Sequence, residues 1–167
     1  ALCHTPAASG MQTAFMAPTE ILAGQHYKSL SQMFKTAGIR VALLTGSTKA
    51  KEKREIYEAL EAGEIDVAVG THALLTEAVT FRRLGFVITD EQHRFGVAQR
   101  AALSQKGDHP HLLVMSATPI PRSLGLIIYG DLDISVLDEM PPGRTPVKTY
   151  AVNTSYRERA YHYVKKH

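Results

Sequence analysis

The sequence predicts an α/β domain of three layers, with helices on both faces of a mainly parallel sheet. Short apolar runs of four or five residues alternate along the chain with longer amphipathic stretches. The runs are continuously apolar, which is typical of strands buried on both faces. Strands and helices that follow one another in this order form parallel crossover units.

Five runs predict strands and four intervening stretches predict helices. The predicted strands are 13–16, 41–44, 65–69, 86–89 and 112–115, and the predicted helices are 19–36, 49–62, 94–106 and 122–128. Ile56 and Leu60 are spaced to share one face of the second helix. Gly38 and Gly63 follow the first two helices, where glycine favours a helix end.

Turn-forming residues divide the chain near its end. The run 140–146 contains Pro-Pro-Gly, which continues neither a helix nor a central strand, so it predicts a linker. We predict one domain over 1–139, with a last strand at 132–137. The start of a second domain is predicted over 147–167, with a strand at 147–152 and a helix at 155–167. The first ten residues are expected to be poorly ordered, because Pro6 does not suit the interior of a helix.

Composition excludes several classes of protein. No apolar run approaches the roughly 20 residues that a membrane-spanning helix needs. Cys3 is the single cysteine, so no internal disulfide forms. The net charge of +3 arises near the end of the chain: residues 144–167 carry six Lys and Arg against one acid, which leaves −2 for residues 1–143. Charge alone therefore does not predict a nucleic-acid-binding surface.

A small polar cluster follows each predicted strand. If the strands are parallel, these clusters lie at one carboxyl edge of the sheet, where open α/β sheets bind ligands. Any one cluster is explained by helix capping, but five in succession favour a binding edge. The clusters are 17–20 with Pro18, Thr19 and Glu20, 45–47 with Thr45, Gly46 and Ser47, 70–72 with Thr71 and His72, 89–93 with Asp90, Glu91, Gln92 and His93, and 116–119 with Ser116, Ala117 and Thr118.

The adjacent acids Asp90 and Glu91 are the most specific of these signals. Two carboxylates directly after a buried strand are typical of the Walker B segment of P-loop ATPases. There the first acid holds Mg²⁺ and the second polarises the water that attacks the γ-phosphate. Two acids at a helix N-terminus are the alternative, since the helix dipole favours them. The context of Gln92 and His93, with Ser116–Ala117–Thr118 further along, favours the ATPase interpretation.

Four segments carry a resemblance to a known family. They are Met-Ala-Pro-Thr-Glu-Ile-Leu-Ala at 16–23, Asp-Glu-Gln-His-Arg-Phe-Gly-Val at 90–97, Ser-Ala-Thr-Pro-Ile-Pro-Arg at 116–122 and Asp-Glu-Met-Pro-Pro-Gly-Arg-Thr-Pro-Val at 138–147. Together they resemble superfamily 2 helicases, and within them the RecG family of bacterial ATP-dependent DNA helicases. The resemblance runs over nearly the whole chain. It implies a RecA-like P-loop NTPase fold in an ATP-dependent enzyme that remodels branched DNA in repair and recombination.

The resemblance also implies cofactors, partners and residue roles. The cofactors are ATP and Mg²⁺, the partner is forked or branched DNA, and the protein is a bacterial cytoplasmic, nucleoid-associated monomer without membrane contact. Asp90 would hold Mg²⁺ through water, Glu91 would orient the hydrolytic water, and Gln92 and His93 would contact the γ-phosphate region. Residues that would couple hydrolysis to DNA are Ser116, Ala117, Thr118 and Arg122. Residues that would hold the nucleic-acid backbone are Pro18, Thr19, Thr45, Gly46, Thr71 and His72.

Three points stay open from sequence. The transcription-repair coupling factor shares the segments around 93–97 and 117–122, and a non-catalytic α/β binding module is a further alternative. His72 is equally compatible with a partly buried structural histidine, and Arg122 with an inter-domain contact. None of the twelve glycines is followed by Lys-Ser or Lys-Thr, so we expect the phosphate-binding loop upstream of residue 1. The 167-residue chain alone is then an N-terminally truncated motor domain, expected to bind nucleotide poorly and to lack ATPase activity.

Overall fold

The chain forms two compact units, Ala1–Pro119 and Ile120–His167, in a computed structural model. The structure describes residues 3–90, 103, 105–116, 133, 135–139, 143–144, 147–151 and 153–166. Most of the predicted helix 94–106, and all of the predicted helix 122–128, lie outside these residues.

A parallel five-stranded sheet organises the first unit. The strands are β1 (Gln12–Met16), β2 (Val41–Leu44), β3 (Val67–Gly70), β4 (Leu84–Thr89) and β5 (His111–Val114). Their order across the sheet is β2-β3-β1-β4-β5, and every pairing is parallel. All five predicted strands are confirmed, although β3 begins two residues later than the apolar run that predicted it.

Among the described residues, three helices accompany this sheet: α1 (His4–Ala8), α2 (Glu20–Phe34) and α3 (Ala50–Glu61). Thr19 caps α2, because its hydroxyl accepts a hydrogen bond from the Leu22 N–H at 3.3 Å. A short 3₁₀ turn extends α2 to Gly38, whose φ of +68° is the left-handed conformation that glycine adopts at helix ends. The helices predicted over 19–36 and 49–62 are confirmed to within a few residues.

The prediction that the first ten residues are poorly ordered is wrong for the described part. Residues 4–8 form α1, and Pro6 is the third residue of this helix. A proline is tolerated there because the N–H groups of a first helical turn have no intrahelical partner to lose. Cys3, which precedes α1, is buried in the core.

Alternate residues of the central strand pack into two separate cores. Phe15 contributes to a cluster with Ala23 and Phe34 of α2, whereas Met16 packs in a second cluster with residues of α3, which include Leu60. Every residue of β1 is buried. The alternation explains why the strands read as continuous apolar runs, since both faces of the sheet are covered.

A buried amide fixes the amino end of the central strand. Gln12 is 3% exposed, and its Nε2 donates to the carbonyl oxygens of Leu60 at 2.9 Å and Ile65 at 2.8 Å. Its Oε1 accepts from the Arg83 N–H at 3.0 Å. One side chain thus satisfies three backbone groups from two connections, and burial of this amide costs little.

The second unit contains one described helix, α4 (Arg157–Lys166), preceded by a 3₁₀ turn at Thr154–Tyr156. This confirms the helix predicted over 155–167. The strands predicted at 132–137 and 147–152 are wrong for their described residues, which are not in strands. Leu137 is 97% exposed and Val147 is 85% exposed. An apolar run becomes a strand only when a neighbouring strand pairs with its backbone.

Candidate functional site at the carboxyl edge of the sheet

Backbone hydrogen bonds continue the sheet one step past the strand ends. The Ala17 N–H donates to the Gly70 carbonyl at 2.9 Å, and the Thr71 N–H donates to the Leu44 carbonyl at 3.3 Å. On the other side of β1, the Asp90 N–H donates to the Met16 carbonyl at 2.9 Å. The polar clusters that follow the strands therefore share one edge, as the sequence predicts.

The loop after β2, residues 45–48, is closed by its own hydroxyl groups. The Thr45 N–H donates to Thr48 Oγ1 at 3.0 Å, and Thr45 Oγ1 lies 3.0 Å from Ser47 Oγ. The Lys53 ammonium group, from α3, donates to the Gly46 carbonyl at 3.0 Å. Gly46 and Ser47 remain exposed while Thr45 is buried, so the loop presents backbone and a hydroxyl group at the surface.

Glu20 joins this 45–48 loop to the first turn of α2. Its carboxylate accepts from the Ser47 N–H at 3.0 Å and from the Ser47 hydroxyl at 2.8 Å. The Ser47 hydroxyl, and next the Ser47 N–H, hold the pKa of the Glu20 carboxyl below its usual value. A Cβ on Gly46 would lie 2.9 Å from Glu20 Oε1, so the absence of a side chain there lets the carboxylate approach.

The loop after β3 begins at a glycine packed closely against β2 and carries an exposed histidine. A Cβ on Gly70 would lie 2.2 Å from the Leu44 carbonyl oxygen, so the last residue of β3 must be glycine at this spacing. Thr71 is buried, and among the described residues its hydroxyl has no hydrogen-bond partner. His72 is exposed, which disagrees with the alternative of a partly buried structural histidine.

Asp90 lies directly after β4 and pairs with a histidine of α2. The His26 Nε2 is 2.8 Å from Asp90 Oδ2, and the two side chains are 31% and 21% exposed. The His26 ring also packs on Phe15 of the central strand, with ring centroids 4.5 Å apart. Asp90 is therefore held at the edge next to β1, separated from the 45–48 loop by β1 and β3.

The structure describes eight of the predicted site residues. The described ones are Pro18, Thr19, Thr45, Gly46, Thr71, His72, Asp90 and Ser116, and each follows a strand at the carboxyl edge. The others lie outside the described residues: Glu91, Gln92, His93, Ala117, Thr118 and Arg122. The roles of all these residues stay predictions.

The acidic position suits a hydrated Mg²⁺ ion. The described residues contain no group of three or more Asp, Glu, His or Cys side chains able to enclose a metal. Mg²⁺ keeps several waters and is commonly held by one or two carboxylates together with substrate phosphates. The Asp90 carboxylate, partly exposed at the edge, therefore has the donor chemistry that such an ion takes.

Sequence reasoning missed His26, and it placed Glu20 and Ser47 in the polar clusters without assigning a role to either. Glu20 and Ser47 are 27 residues apart, and no sequence pattern predicts their contact. His26 carried a usable signal, because it lies at i+4 from Leu22 and i−4 from Leu30 on the apolar side of a predicted helix. A polar residue on such a face must find a partner.

A parallel sheet flanked by helices, with an acid and polar loops at its carboxyl edge, is the architecture of a RecA-like helicase domain. Comparison with known families is consistent with this class. A family model described as DEAD/DEAH box helicase matches residues 1–127. The chain belongs to the DEAD/DEAH box helicase family.

Curated relatives are more specific. The chain is 57% identical over 155 residues to the ATP-dependent DNA helicase RecG of Aquifex aeolicus. The aligned region covers 92% of this chain and 20% of the relative. It is 51% identical over 154 residues to the ATP-dependent DNA helicase RecG of Escherichia coli O157:H7. That aligned region covers 90% of this chain and 22% of the relative. The chain thus spans about a fifth of the length of these relatives.

Solved structures give the same picture. A structure of RecG bound to a three-way DNA junction matches with a TM-score of 0.79 and 52% identity, over 93% of this chain and 21% of that one. The DUF1998 helicase MrfA bound to DNA matches with a TM-score of 0.58 and 21% identity, over 72% of this chain and 18% of that one. The second likeness concerns the fold alone.

Proposed function

We propose that this chain is part of the first motor domain of an ATP-dependent DNA helicase that remodels branched DNA in repair and recombination. The observation that carries the proposal is the shared carboxyl edge, where Asp90 lies beside the central strand and the 45–48 loop lies at its β2 end. Identity of 52% to a protein whose structure contains a three-way DNA junction supports the substrate class. The same similarity favours this function over a transcription-repair coupling factor.

Asp90, Glu91, Gln92 and His93 form the proposed nucleotide side of this edge. Bound Mg²⁺ would neutralise phosphate charge during hydrolysis, with ATP as the nucleotide. Asp90 would hold the hydrated ion through a carboxylate oxygen. Glu91 would orient and deprotonate the attacking water, while Gln92 and His93 would contact the γ-phosphate region.

The proposed DNA side of the edge consists of Pro18, Thr19, Thr45, Gly46, Thr71 and His72. Small residues suit this role, because backbone N–H and hydroxyl groups approach phosphates closely and read no sequence. Exposed Lys49 and Lys51 follow the 45–48 loop and add positive charge near it. Thr45 and Thr71 have buried side chains, and their N–H groups already donate to Thr48 Oγ1 and to the Leu44 carbonyl, so we propose that they support the loops that present the exposed Gly46 and His72.

Ser116, Ala117, Thr118 and Arg122 are proposed to pass the nucleotide state to the DNA side. We further propose a first domain over 1–139, a linker over 140–146 and the start of a second motor domain over 147–167. The protein would act as a monomer in the bacterial cytoplasm, associated with the nucleoid. Among the described residues, no helix combines the length and apolar character needed to cross a bilayer.

Glu91→Gln in the full-length protein that carries this chain tests the proposal. Loss of the general base should lower DNA-stimulated ATP turnover about 10²-fold or more, since such help is typically worth 10²–10⁴. Binding of a fluorescent ATP analogue should be retained, because the amide keeps the shape of the side chain. Turnover is measured with a three-way junction and with linear duplex as the DNA.

Unchanged turnover in E91Q would contradict the role of Glu91. Equal stimulation of the wild-type protein by junction and linear duplex would contradict the branched substrate. The isolated 167-residue chain is the negative control and should show no turnover above background.

A further inference from the structure

We propose that His26 is a positioning residue for Asp90: its ring orients the carboxylate that would hold the metal and ties that carboxylate to helix α2. The inference rests on the proposed function and deepens it, because it adds a residue that lies outside the segments of family resemblance. His26 is on the second turn of α2, and Asp90 is 64 residues further along the chain.

The geometry fixes the histidine from two sides. One ring nitrogen, Nε2, is 2.8 Å from Asp90 Oδ2. The ring itself lies against Phe15, with centroids 4.5 Å apart and planes inclined at 41°. Phe15 is 6% exposed within β1, so it offers a rigid surface that restricts the rotation of the imidazole.

The chemistry of the pair assigns the direction of the hydrogen bond. An ionised carboxylate only accepts hydrogen bonds, so Nε2 carries the hydrogen and donates it. Hydrogen bonds to a charged acceptor are stronger than neutral ones, and both groups are partly withdrawn from solvent. Partners of this kind around ligating groups set their orientation and typically change metal affinity 10- to 100-fold.

Helix α2 connects this pair to the other side of the edge. Its first turn holds Glu20, which binds Ser47 of the 45–48 loop, and its second turn holds His26. A helix is a stiff element, so displacement of its first turn by DNA would be transmitted to His26 and from there to Asp90. The contact therefore provides a physical route from the proposed DNA side to the proposed metal position.

Three variants of the full-length protein test this role. His26→Phe keeps a ring against Phe15 and removes the donor, while His26→Gln places an amide N–H close to the position of Nε2. Gln25→Ala, an exposed neighbour on α2, is the matched control. Mg²⁺ is titrated against binding of a fluorescent ATP analogue, and melting temperature reports folding separately.

H26F should raise the Mg²⁺ concentration for half-maximal analogue binding about 10-fold. H26Q should stay within about 3-fold of the wild-type value because the donor is restored, and Q25A should match the wild type. If H26F lowers the melting temperature by more than a few degrees, H26L replaces it as the donor-free variant.

The inference is overturned if the donor-free variant keeps the wild-type Mg²⁺ dependence, or if H26Q is as impaired as H26F. Asp90→Asn separates this failure from failure of the proposed function. Loss of Mg²⁺-dependent binding in D90N together with normal H26F leaves the function standing and removes only the role of His26. Normal Mg²⁺ dependence in D90N contradicts the metal position itself.

Discussion

At the β2 end of the carboxyl edge, the 45–48 loop is held by hydroxyl and backbone hydrogen bonds from Thr45, Ser47, Thr48 and Glu20. At the β4 end, the Asp90 carboxylate is hydrogen-bonded to the His26 ring at 2.8 Å. The first region is a loop held by a network of hydrogen bonds, whereas the second is a single carboxylate that the imidazole of His26 orients. In the proposed function the loop would face an anionic polymer and the oriented acid would hold a cation, so the two ends of one sheet edge would serve two ligand chemistries.

The largest expected effect is a loss of stability from a steric clash at the β2 end of the edge. Gly70→Ala places a methyl group 2.2 Å from the Leu44 carbonyl oxygen, so β2 and β3 must separate. Overpacking of this kind costs about 1–3 kcal/mol, and backbone contact puts this site near the upper value. The free energy of unfolding, measured by denaturant titration of the 167-residue chain, reports the loss.

Gly24→Ala is the control for Gly70→Ala. A Cβ at Gly24 meets nothing within 4 Å, and alanine is favoured over glycine in a helix by about 1 kcal/mol. This variant should therefore be as stable as the wild type or more so. Equal stability of G70A and G24A would show that the close approach at β3 does not limit the edge.

A smaller effect is expected from Ser47→Ala, which distinguishes the two ends by ligand. It removes the hydroxyl that bonds Glu20 and Thr45, so the 45–48 loop loses two of the hydrogen bonds that hold its shape. In the full-length protein, affinity for a labelled three-way junction, measured by anisotropy at fixed salt, should fall several-fold. Binding of the ATP analogue should not change.

Ser29→Ala, at an exposed position of α2, is the matched serine control and should leave both affinities unaltered. A loss of nucleotide binding in S47A equal to its loss of DNA binding would mean that the two ends are not separate sites.

The smallest expected effect is a pH dependence at Glu20. Its pKa in the fold is lowered from the usual 4.5, first by the Ser47 hydroxyl and then by the Ser47 N–H. The contribution of the ionised carboxylate to stability is therefore present above this usual value and disappears as pH falls through the lower folded pKa. Glu20→Gln does not titrate. Its free energy of unfolding should be lower than that of the wild type near neutral pH, and the two values should converge in acid. A constant difference across this range would contradict the assignment.

The sequence predicts the strands of the first unit well because their environment is uniform. Both faces of the sheet are covered, so β1 and β3 consist of apolar runs that need no register information to be recognised. The runs at 132–137 and 147–152 are also rich in apolar residues, although Asp133, Ser135 and Lys148 interrupt them, and their described residues lack strand pairing. Strand formation depends on a neighbouring strand, and a local pattern does not report whether one is present.

The candidate site likewise has a part that the sequence predicts and a part that it does not. Polar residues directly after strands are predicted to share an edge, because parallel topology brings strand ends together, and the backbone hydrogen bonds at Ala17, Thr71 and Asp90 confirm it. The contacts of Glu20 with Ser47 and of His26 with Asp90 are not predicted. Each depends on how far one side chain reaches across the edge, which is set by packing of α2 and not by spacing along the chain.

The Gln12 amide has a consequence for the order of folding. The groups that satisfy the opening residue of β1 belong to Leu60, Ile65 and Arg83, all of which are synthesised well after Gln12. The buried amide therefore completes its native hydrogen bonds only after the connection before β4 has been made. Contacts so distant in sequence slow folding, so we expect the amino end of β1 to become fixed late.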